Sequence, residues 1–250
     1  MSTRAKYRNG LQTFFDDAQN FETVHKMAPV IYYDDFLAIG ALAIPASGSA
    51  ENGVDWVKKL VQTAGTPTLA GVASAAGGVL AAALDATSEK QESSLTWGDQ
   101  KGLDVTKGLV WEARIKLSVL PSAAAVQAVW GVSSDWIDGP DNASEYLEFG
   151  ATGNGAVLCR SQDGTTQTSA AASNAKTLTT ADWAICRIDA SDVTNVRFYI
   201  DGTDVTPAAG VGFAATGANA VLQPYFSVYK ASGTGVGTLQ VDYVKAWQTR

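Results

Sequence analysis

The chain has 250 residues, of which 46% are hydrophobic and 17% are charged. This composition can fill the core of one large domain, or of two small ones, and it excludes a wholly disordered protein. The net charge of −7 argues against non-specific binding of nucleic acid, because a phosphate backbone repels an acidic protein.

Residues that commonly carry metal or nucleophilic chemistry are scarce. His25 is the one histidine, and Cys159 and Cys186 are the two cysteines. A zinc site of Cys and His needs four ligands, so we expect no metal and no cofactor. A Ser-His-Asp triad would depend on His25 alone, which lies in a polar segment typical of a surface. The cysteines occupy separate predicted strands, and we expect two buried thiols, although their pairing cannot be inferred.

No targeting segment is evident. Residues 1–26 are polar throughout, unlike a secretory signal. The longest apolar run, residues 36–46 (FLAIGALAIPA), is shorter than the about 20 residues that span a bilayer. We therefore expect a protein made in a bacterial-type cytoplasm, without a membrane partner.

Residues 1–34 differ from the remainder and predict an N-terminal arm that is extended or partly helical, with a short helix near residues 12–20. A solvated tail seldom keeps so many aromatic residues, which are enriched at interfaces. We therefore expect the arm to contact a partner. The candidate contacts are basic and aromatic residues: Arg4, Lys6, Arg8, Phe14, Phe15, Phe21, Tyr32 and Tyr33.

Residues 35–250 predict one all-β domain, because short apolar runs are broken by turn-forming residues. Residues 110–117 (VWEARIKL) alternate, as in a half-buried antiparallel strand, and Asp201-Gly202 predicts a hairpin turn. In residues 70–84 alanine favours a helix, but Gly77-Gly78 reads as a turn, and we favour two strands. The predicted strands are 54–61, 68–73, 79–84, 110–117, 128–132, 146–149, 157–160, 183–189, 196–200, 223–229 and 237–248.

Three segments resemble a known family. Residues 107–117 (KGLVWEARIKL), 181–205 (containing VRFYIDGTDV) and 239–248 (LQVDYVKAWQ) resemble, in this order, core strands of concanavalin A-like lectin/glucanase domains. The resemblance spans about residues 54–250 and implies an antiparallel jelly-roll β-sandwich of two curved sheets. It implies less about activity, because function depends on the site.

The catalytic motif of the related glucanases is incomplete here. Those enzymes carry Glu-x-Asp-x-Glu on one strand, which places three acids on one face, and retaining hydrolysis needs a close pair of carboxylates. The corresponding stretch keeps Glu145, but Leu147 and Phe149 replace the other acids, and Glu148 falls on the opposite face. This pattern predicts that the chain is not an enzyme and has no catalytic residue.

Residues 134–142 form a polar loop that suits either a simple β-connection or a sugar-binding site. Its spacing does not match an EF-hand calcium loop. The candidate glycan contacts in it are Asp135, Trp136, Asp138, Asp141 and Asn142. One alternative function is therefore a carbohydrate-binding lectin, or a phage adhesin that recognises host glycans.

The whole chain also resembles structural proteins of tailed bacteriophages. The segments concerned are 30–38 (VIYYDDFLA), 86–100 and 129–153. This resemblance implies a non-enzymatic virion protein that decorates and cements the capsid. The implied partners are the major capsid protein and further copies of the chain, with a trimer favoured. The implied location is the capsid surface of a virion assembled in the host cytoplasm.

Overall fold

The computed structural model describes residues 3–8, 11–16, 21–24, 30–37 and 56–249, except 74, 76, 174 and 175. These residues form nineteen strands: β1 (Thr3–Arg8), β2 (Leu11–Asp16), β3 (Phe21–Val24), β4 (Val30–Asp34), β5 (Val57–Gln62), β6 (Thr68–Gly71), β7 (Leu80–Ala83), β8 (Gln91–Thr96), β9 (Leu103–Asp104), β10 (Val110–Val119), β11 (Val126–Ser133), β12 (Glu145–Thr152), β13 (Ala156–Asp163), β14 (Gln167–Ala171), β15 (Ala184–Asp189), β16 (Arg197–Ile200), β17 (Thr203–Asp204), β18 (Val221–Lys230) and β19 (Thr238–Gln248). Short 3-10 turns cover Val105–Lys107, Pro140–Asn142 and Gly217–Ala220.

Two antiparallel sheets form a sandwich. The first sheet has the order β17-β16-β15-β10-β19-β7-β6, and β4 also pairs with β19. The second sheet has the order β14-β13-β12-β11-β18-β8-β5, and β9 also pairs with β18. The predicted all-β fold, an antiparallel jelly-roll sandwich, is confirmed.

The core lies between the two sheets and follows the predicted alternation. On β10, Trp111 and Ile115 are buried, whereas Glu112 lies on the outer face. From the second sheet, Phe149 packs edge-on against Phe198 of β16, with ring centroids 5.1 Å apart. Each such buried side chain contributes roughly 1.5–3 kcal/mol to folding, so the sandwich is held mainly by apolar burial.

The predicted hairpin at Asp201-Gly202 is confirmed. Both residues have positive φ, 51° and 77°, between β16 and β17. Two consecutive positive φ values are typical of the tight turns whose twist matches that of the flanking strands. Glycine at the second position adopts this conformation without a steric penalty.

The N-terminal segment is built from strands where the sequence suggested a short helix. Leu11–Asp16 is strand β2, and residues 17–20 lie outside the described part of the chain. Strand β2 pairs with β1 and with β3, and within the described residues none of the three pairs with a strand of the sandwich. Strand β4 pairs with residues 244–248 of β19 and so belongs to the first sheet, whereas β7 pairs with residues 238–241 of the same strand. The division of the chain at residue 34 stays a prediction.

Cys159 and Cys186 are free, buried thiols, as expected. Burial raises the pKa of each thiol to about 12, so neither is a reactive thiolate at neutral pH. Within the described residues, no helix has the length and apolar character needed to cross a bilayer.

Candidate functional site

The outer face of the second sheet carries polar side chains that are almost fully buried. On β12, Leu147 and Phe149 point into the core, so Tyr146 and Glu148 point outward. Glu148 is paired in register with Arg160 of β13, which therefore lies on the same outer face. A carboxyl group and a guanidinium thus meet on the outer face of the sheet.

This placement corrects the sequence-based test for catalytic acids. The test looked for acids at positions 147 and 149, which are core positions in the folded chain. Glu148, set aside as lying on the opposite face, is the acid of this strand that belongs to the outer face. The in-phase apolar residues Leu147, Phe149 and Ala151 already carried this signal, because such a row is typical of a core-facing set.

An open cleft of about 390 Å³ lies on this face, over β11, β12 and β13. Its lining includes apolar Val129 and Leu158 and, between them, Gly150. Arg160 and Asp141 also line the cleft. The cleft therefore combines a small apolar surface with planar, charged hydrogen-bonding groups.

Gly150 positions Arg160. A Cβ atom at residue 150 would lie 2.8 Å from Cδ of Arg160, which is closer than carbon atoms pack. Because residue 150 has no side chain, Arg160 lies flat across the sheet, with its guanidinium carbon 5.2 Å from the ring centroid of Tyr146. Only 5% of the Arg160 side chain is exposed.

Arg160 lies among three polar groups. Its Nη1 is 3.2 Å from Oε1 of Glu148 and donates a hydrogen bond of 3.3 Å to Oε1 of Gln127. Its Nη2 donates to Oδ1 of Asp141. Burial by itself would lower the pKa of Arg160, but the carboxyl groups of Glu148 and Asp141 raise it, so the guanidinium keeps its charge.

For Glu148, burial affects the pKa more than the neighbouring charges do. Burial raises the pKa of its carboxyl group to about 7, and the nearby Arg160 offsets only part of this effect. The Glu148–Arg160 contact is an ion pair without hydrogen-bond geometry, so Oε1 of Glu148 and Nε of Arg160 are both buried without a hydrogen-bond partner. Perturbed acids and unsatisfied buried groups concentrate at functional sites.

The other half of the same face is covered. The connection between β11 and β12, residues 134–144, folds over β8 and β18, and we refer to it as the covering loop. Glu92 of β8 lies beneath it with no exposed surface. Glu92 accepts hydrogen bonds from five groups: Nε1 of Trp136 (3.1 Å), the backbone N–H of Gly139 (2.9 Å), the hydroxyls of Tyr225 (3.2 Å) and Ser227 (3.3 Å), and the hydroxyl of Ser94.

The predicted glycan contacts of this loop separate into two groups. Asp135 forms an ion pair of 3.1 Å with Lys101, and Asp138 forms one with Lys90. Trp136 donates a hydrogen bond to Glu92, and Asn142 donates one of 2.7 Å to the backbone oxygen of Asp138. These four residues do not line the cleft. Asp141 alone of the five lines the cleft. Their role as glycan contacts stays a prediction.

The predicted arm contacts fall in different places. Tyr32 faces inward and packs on Trp97, with ring centroids 4.7 Å apart, whereas Tyr33 is 59% exposed. The remaining six lie in β1, β2 and β3, where side chains are outside the described residues, and His25 is also outside them. These six are Arg4, Lys6, Arg8, Phe14, Phe15 and Phe21.

Sequence reasoning missed Gln127 and Arg160, which line the cleft, and Glu148, which is buried beside it. The alternation of β13 contained the signal for Arg160, because Val157 and Cys159 are its apolar, core-facing residues. Nothing in the local sequence predicted that Gln127 lies beside Arg160, since β11 and β13 are separated by β12. Among the described residues, no group of His, Cys, Asp and Glu could hold a metal ion.

No protein-family model matches the chain, and no curated protein matches it by sequence. Solved structures do match it in fold. The β-glucanase of Bacillus licheniformis is 10% identical, with a TM-score of 0.55 over 88% of this chain and 98% of that one. The endo-β-1,4-glucuronan lyase of the fungus Trichoderma reesei is 14% identical, with a TM-score of 0.55 over 87% and 95%. The carbohydrate recognition domain of Emp47p is 11% identical, with a TM-score of 0.53 over 83% and 95%.

At these identities the likeness establishes the fold, which is the concanavalin A-like jelly roll that the strand motifs resemble. It also contradicts the prediction that the chain is not an enzyme, because hydrolases and lyases are among the structures that share the fold. That prediction was wrong in its reasoning as well, since it counted acids on the core face of β12.

Proposed function

We propose that this protein recognises a carbohydrate in the cleft over β11, β12 and β13, as a lectin or as a phage adhesin for host glycans. The observation that carries the proposal is the lining of the cleft, where Val129 and Leu158 adjoin the side chains of Arg160, Asp141 and Gln127. A sugar ring offers apolar C–H groups and pairs of hydroxyls, which such a lining complements. Lectin domains and glycan-cleaving enzymes share the fold, which supports the same conclusion.

Groups that glycan cleavage would use lie in the cleft and beside it. Asp141 and Glu148 both contact the guanidinium of Arg160. Hydrolysis of a glycosidic bond uses two carboxyl groups, one of them a proton donor with a raised pKa. Burial raises the pKa of Glu148 to about 7, so this residue holds a proton over part of the neutral range.

A glycan array tests the proposal directly. We expect the wild type to bind at least one glycan class, and Arg160→Gln and Leu158→Trp to lose this binding. Leu158→Trp fills the cleft without removing a charge, so it serves where Arg160→Gln reduces stability. The matched control is Arg114→Gln, because Arg114 forms an ion pair with Asp242 on the outer face of the other sheet.

A further measurement distinguishes a lectin from a glycan-cleaving enzyme. Mass spectrometry of each bound glycan after incubation distinguishes binding from cleavage. A protein that binds no glycan, or whose cleft variants bind as well as the wild type, would contradict the proposal.

A second candidate function is decoration of a bacteriophage capsid. What supports it is the separate sheet of β1, β2 and β3, which pairs with no strand of the sandwich and so suits docking. The sequence of strand β1 includes the basic residues Arg4, Lys6 and Arg8. In this proposal the sheet binds the major capsid protein and the chain forms a trimer on the virion.

Co-sedimentation with assembled phage heads tests this second candidate. Removing residues 1–29 is expected to abolish binding to heads, whereas Trp136→Ala leaves it unchanged. A monomer whose shortened form still occupies heads fully would exclude the decoration role.

A further inference from the structure

Asp141 fills a site that is built to hold a carboxylate. Its Oδ1 contacts Nη2 of Arg160, and its Oδ2 accepts a hydrogen bond of 2.7 Å from Nε2 of Gln127. Both oxygens of one carboxylate are therefore held, each by a side chain from a different strand. Two-point binding of this kind matches the planar shape of a carboxylate.

The two binding groups are also held by contacts other than those with the carboxylate. Arg160 lies across Gly150 and over the ring of Tyr146. The Oε1 atom of Gln127 accepts a hydrogen bond of 3.3 Å from Nη1 of Arg160, so the amide directs its Nε2 donor toward the carboxylate. Such preorganisation lowers the entropic cost of binding a ligand.

Asp141 is much more exposed than Arg160, to which it is bound. Asp141 belongs to the short turn Pro140–Asn142 of the covering loop, and 51% of its side chain is exposed. The Arg160 side chain is only 5% exposed, and its Nε is buried without a hydrogen-bond partner. A ligand in the cleft can therefore reach the carboxylate of Asp141 and compete with it for Arg160.

Resting on the proposed carbohydrate function, we propose that the cleft selects acidic glycans, with a uronic acid carboxylate replacing Asp141 on Arg160 and Gln127. A neutral sugar that displaced Asp141 would leave a buried guanidinium short of negative charge, which is costly. A uronic acid restores the charge and both hydrogen bonds. Asp141 is then an internal competitor that weakens binding.

Titration calorimetry with oligogalacturonate and oligoglucuronate, each beside its carboxyl-reduced neutral counterpart, tests the inference. If Asp141 occupies the site most of the time, Asp141→Ala binds an acidic oligomer about tenfold more tightly than the wild type. A neutral oligomer is expected to gain no affinity, because it has no carboxylate that could take the place of Asp141. Adding Gln127→Ala to Asp141→Ala removes one of the two contacts and reverses most of the gain.

The matched control is Glu89→Ala, which removes an exposed acid outside the cleft. It is expected to bind like the wild type, and thermal melting checks that each variant is folded. Asp141→Asn keeps the side-chain shape and serves if Asp141→Ala is unstable.

Four results would overturn the inference. An equal gain for neutral oligomers, or no gain for acidic ones, would refute competition by Asp141 while leaving neutral glycan recognition in place. Equal binding of sulfate esters would refute the choice of a carboxylate. If the wild type and the Asp141 variants bind no glycan, acidic or neutral, the proposed function fails together with the inference.

Discussion

The outer face of the second sheet contains two buried glutamates in contrasting surroundings. Glu92, beneath the covering loop, accepts hydrogen bonds from five groups. Glu148, beside the open cleft, is as deeply buried, yet its Oε1 has no hydrogen-bond partner. Both carboxyl groups are equally buried, but they differ in the number of hydrogen bonds that the protein donates to them.

The contrast indicates which half of the face is structural and which half is free to bind. A fully satisfied buried network rigidifies what it joins, and here it joins the covering loop to β8 and β18. A polar group that lacks a hydrogen-bond partner is still able to form a hydrogen bond with a ligand. The open half is therefore where we expect a ligand.

The largest effect is expected from Glu92→Ala. Removing this carboxylate leaves five donors without their acceptor, including the Trp136 indole and the Gly139 backbone N–H. Loss of one member of a buried charged network costs roughly 3–5 kcal/mol. Urea denaturation monitored by tryptophan fluorescence measures the change. The control is Glu89→Ala, which removes an exposed acid. Equal effects of the two substitutions would mean that the hydrogen bonds of Glu92 do not stabilise the fold.

Glu148→Gln is expected to show a pH-dependent gain in stability. Burial raises the pKa of Glu148 from 4.5 to about 7, so between these values the folded state binds more protons than the unfolded chain. The free energy of unfolding that the wild type owes to this group therefore falls as the pH rises, by on the order of 3 kcal/mol in total. Glutamine carries no charge and escapes this loss.

Urea midpoints at pH 4.5, 6 and 7.5 measure this difference. The advantage of Glu148→Gln over the wild type is expected to grow with pH, with Glu89→Gln as the control. A difference that stays constant across this range would mean that the pKa of Glu148 is the same in the folded and the unfolded chain.

A smaller effect is expected from Gly150→Ala. The added Cβ would lie 2.8 Å from Cδ of Arg160, so the arginine has to move off the sheet. Overpacking of this kind costs roughly 1–3 kcal/mol, and glycan binding is expected to weaken in parallel. At Gly102 the nearest atom to an added Cβ is 3.8 Å away in Trp97, so Gly102→Ala is the matched control. Unchanged binding by Gly150→Ala would show that the position of Arg160 is unimportant.

The smallest effect is expected from Asp135→Asn. The ion pair of Asp135 with Lys101 is 3.1 Å long, and 63% of the Asp135 side chain is exposed. Surface pairs of this kind contribute about 0–1 kcal/mol. Thermal melting measures the change, and a loss as large as that of Glu92→Ala would mean that surface pairs hold the covering loop.

Local sequence patterns were sufficient to predict a strand where its apolar residues alternate and so lie on one side. The alternation in residues 110–117 predicted β10, and Asp201-Gly202 predicted the turn between β16 and β17. Strand β8 was missed, because its sequence QESSLT is polar and yet all six residues are buried. Their burial depends on neighbouring strands and on the covering loop, which are distant in sequence.

The sequence by itself determined the fold class, because alternating apolar residues and turn-forming glycines act over a few positions. Tertiary structure alone decided the site. Glu148 and Gln127 reach Arg160 from two other strands, and Asp141 reaches it from a loop. The alternation of β12 indicates its core face, but which side chains of other strands meet on its outer face depends on strand order and register, and one residue of register exchanges the faces. That dependence is the physical reason why the strands could be predicted while the chemistry of the cleft could not.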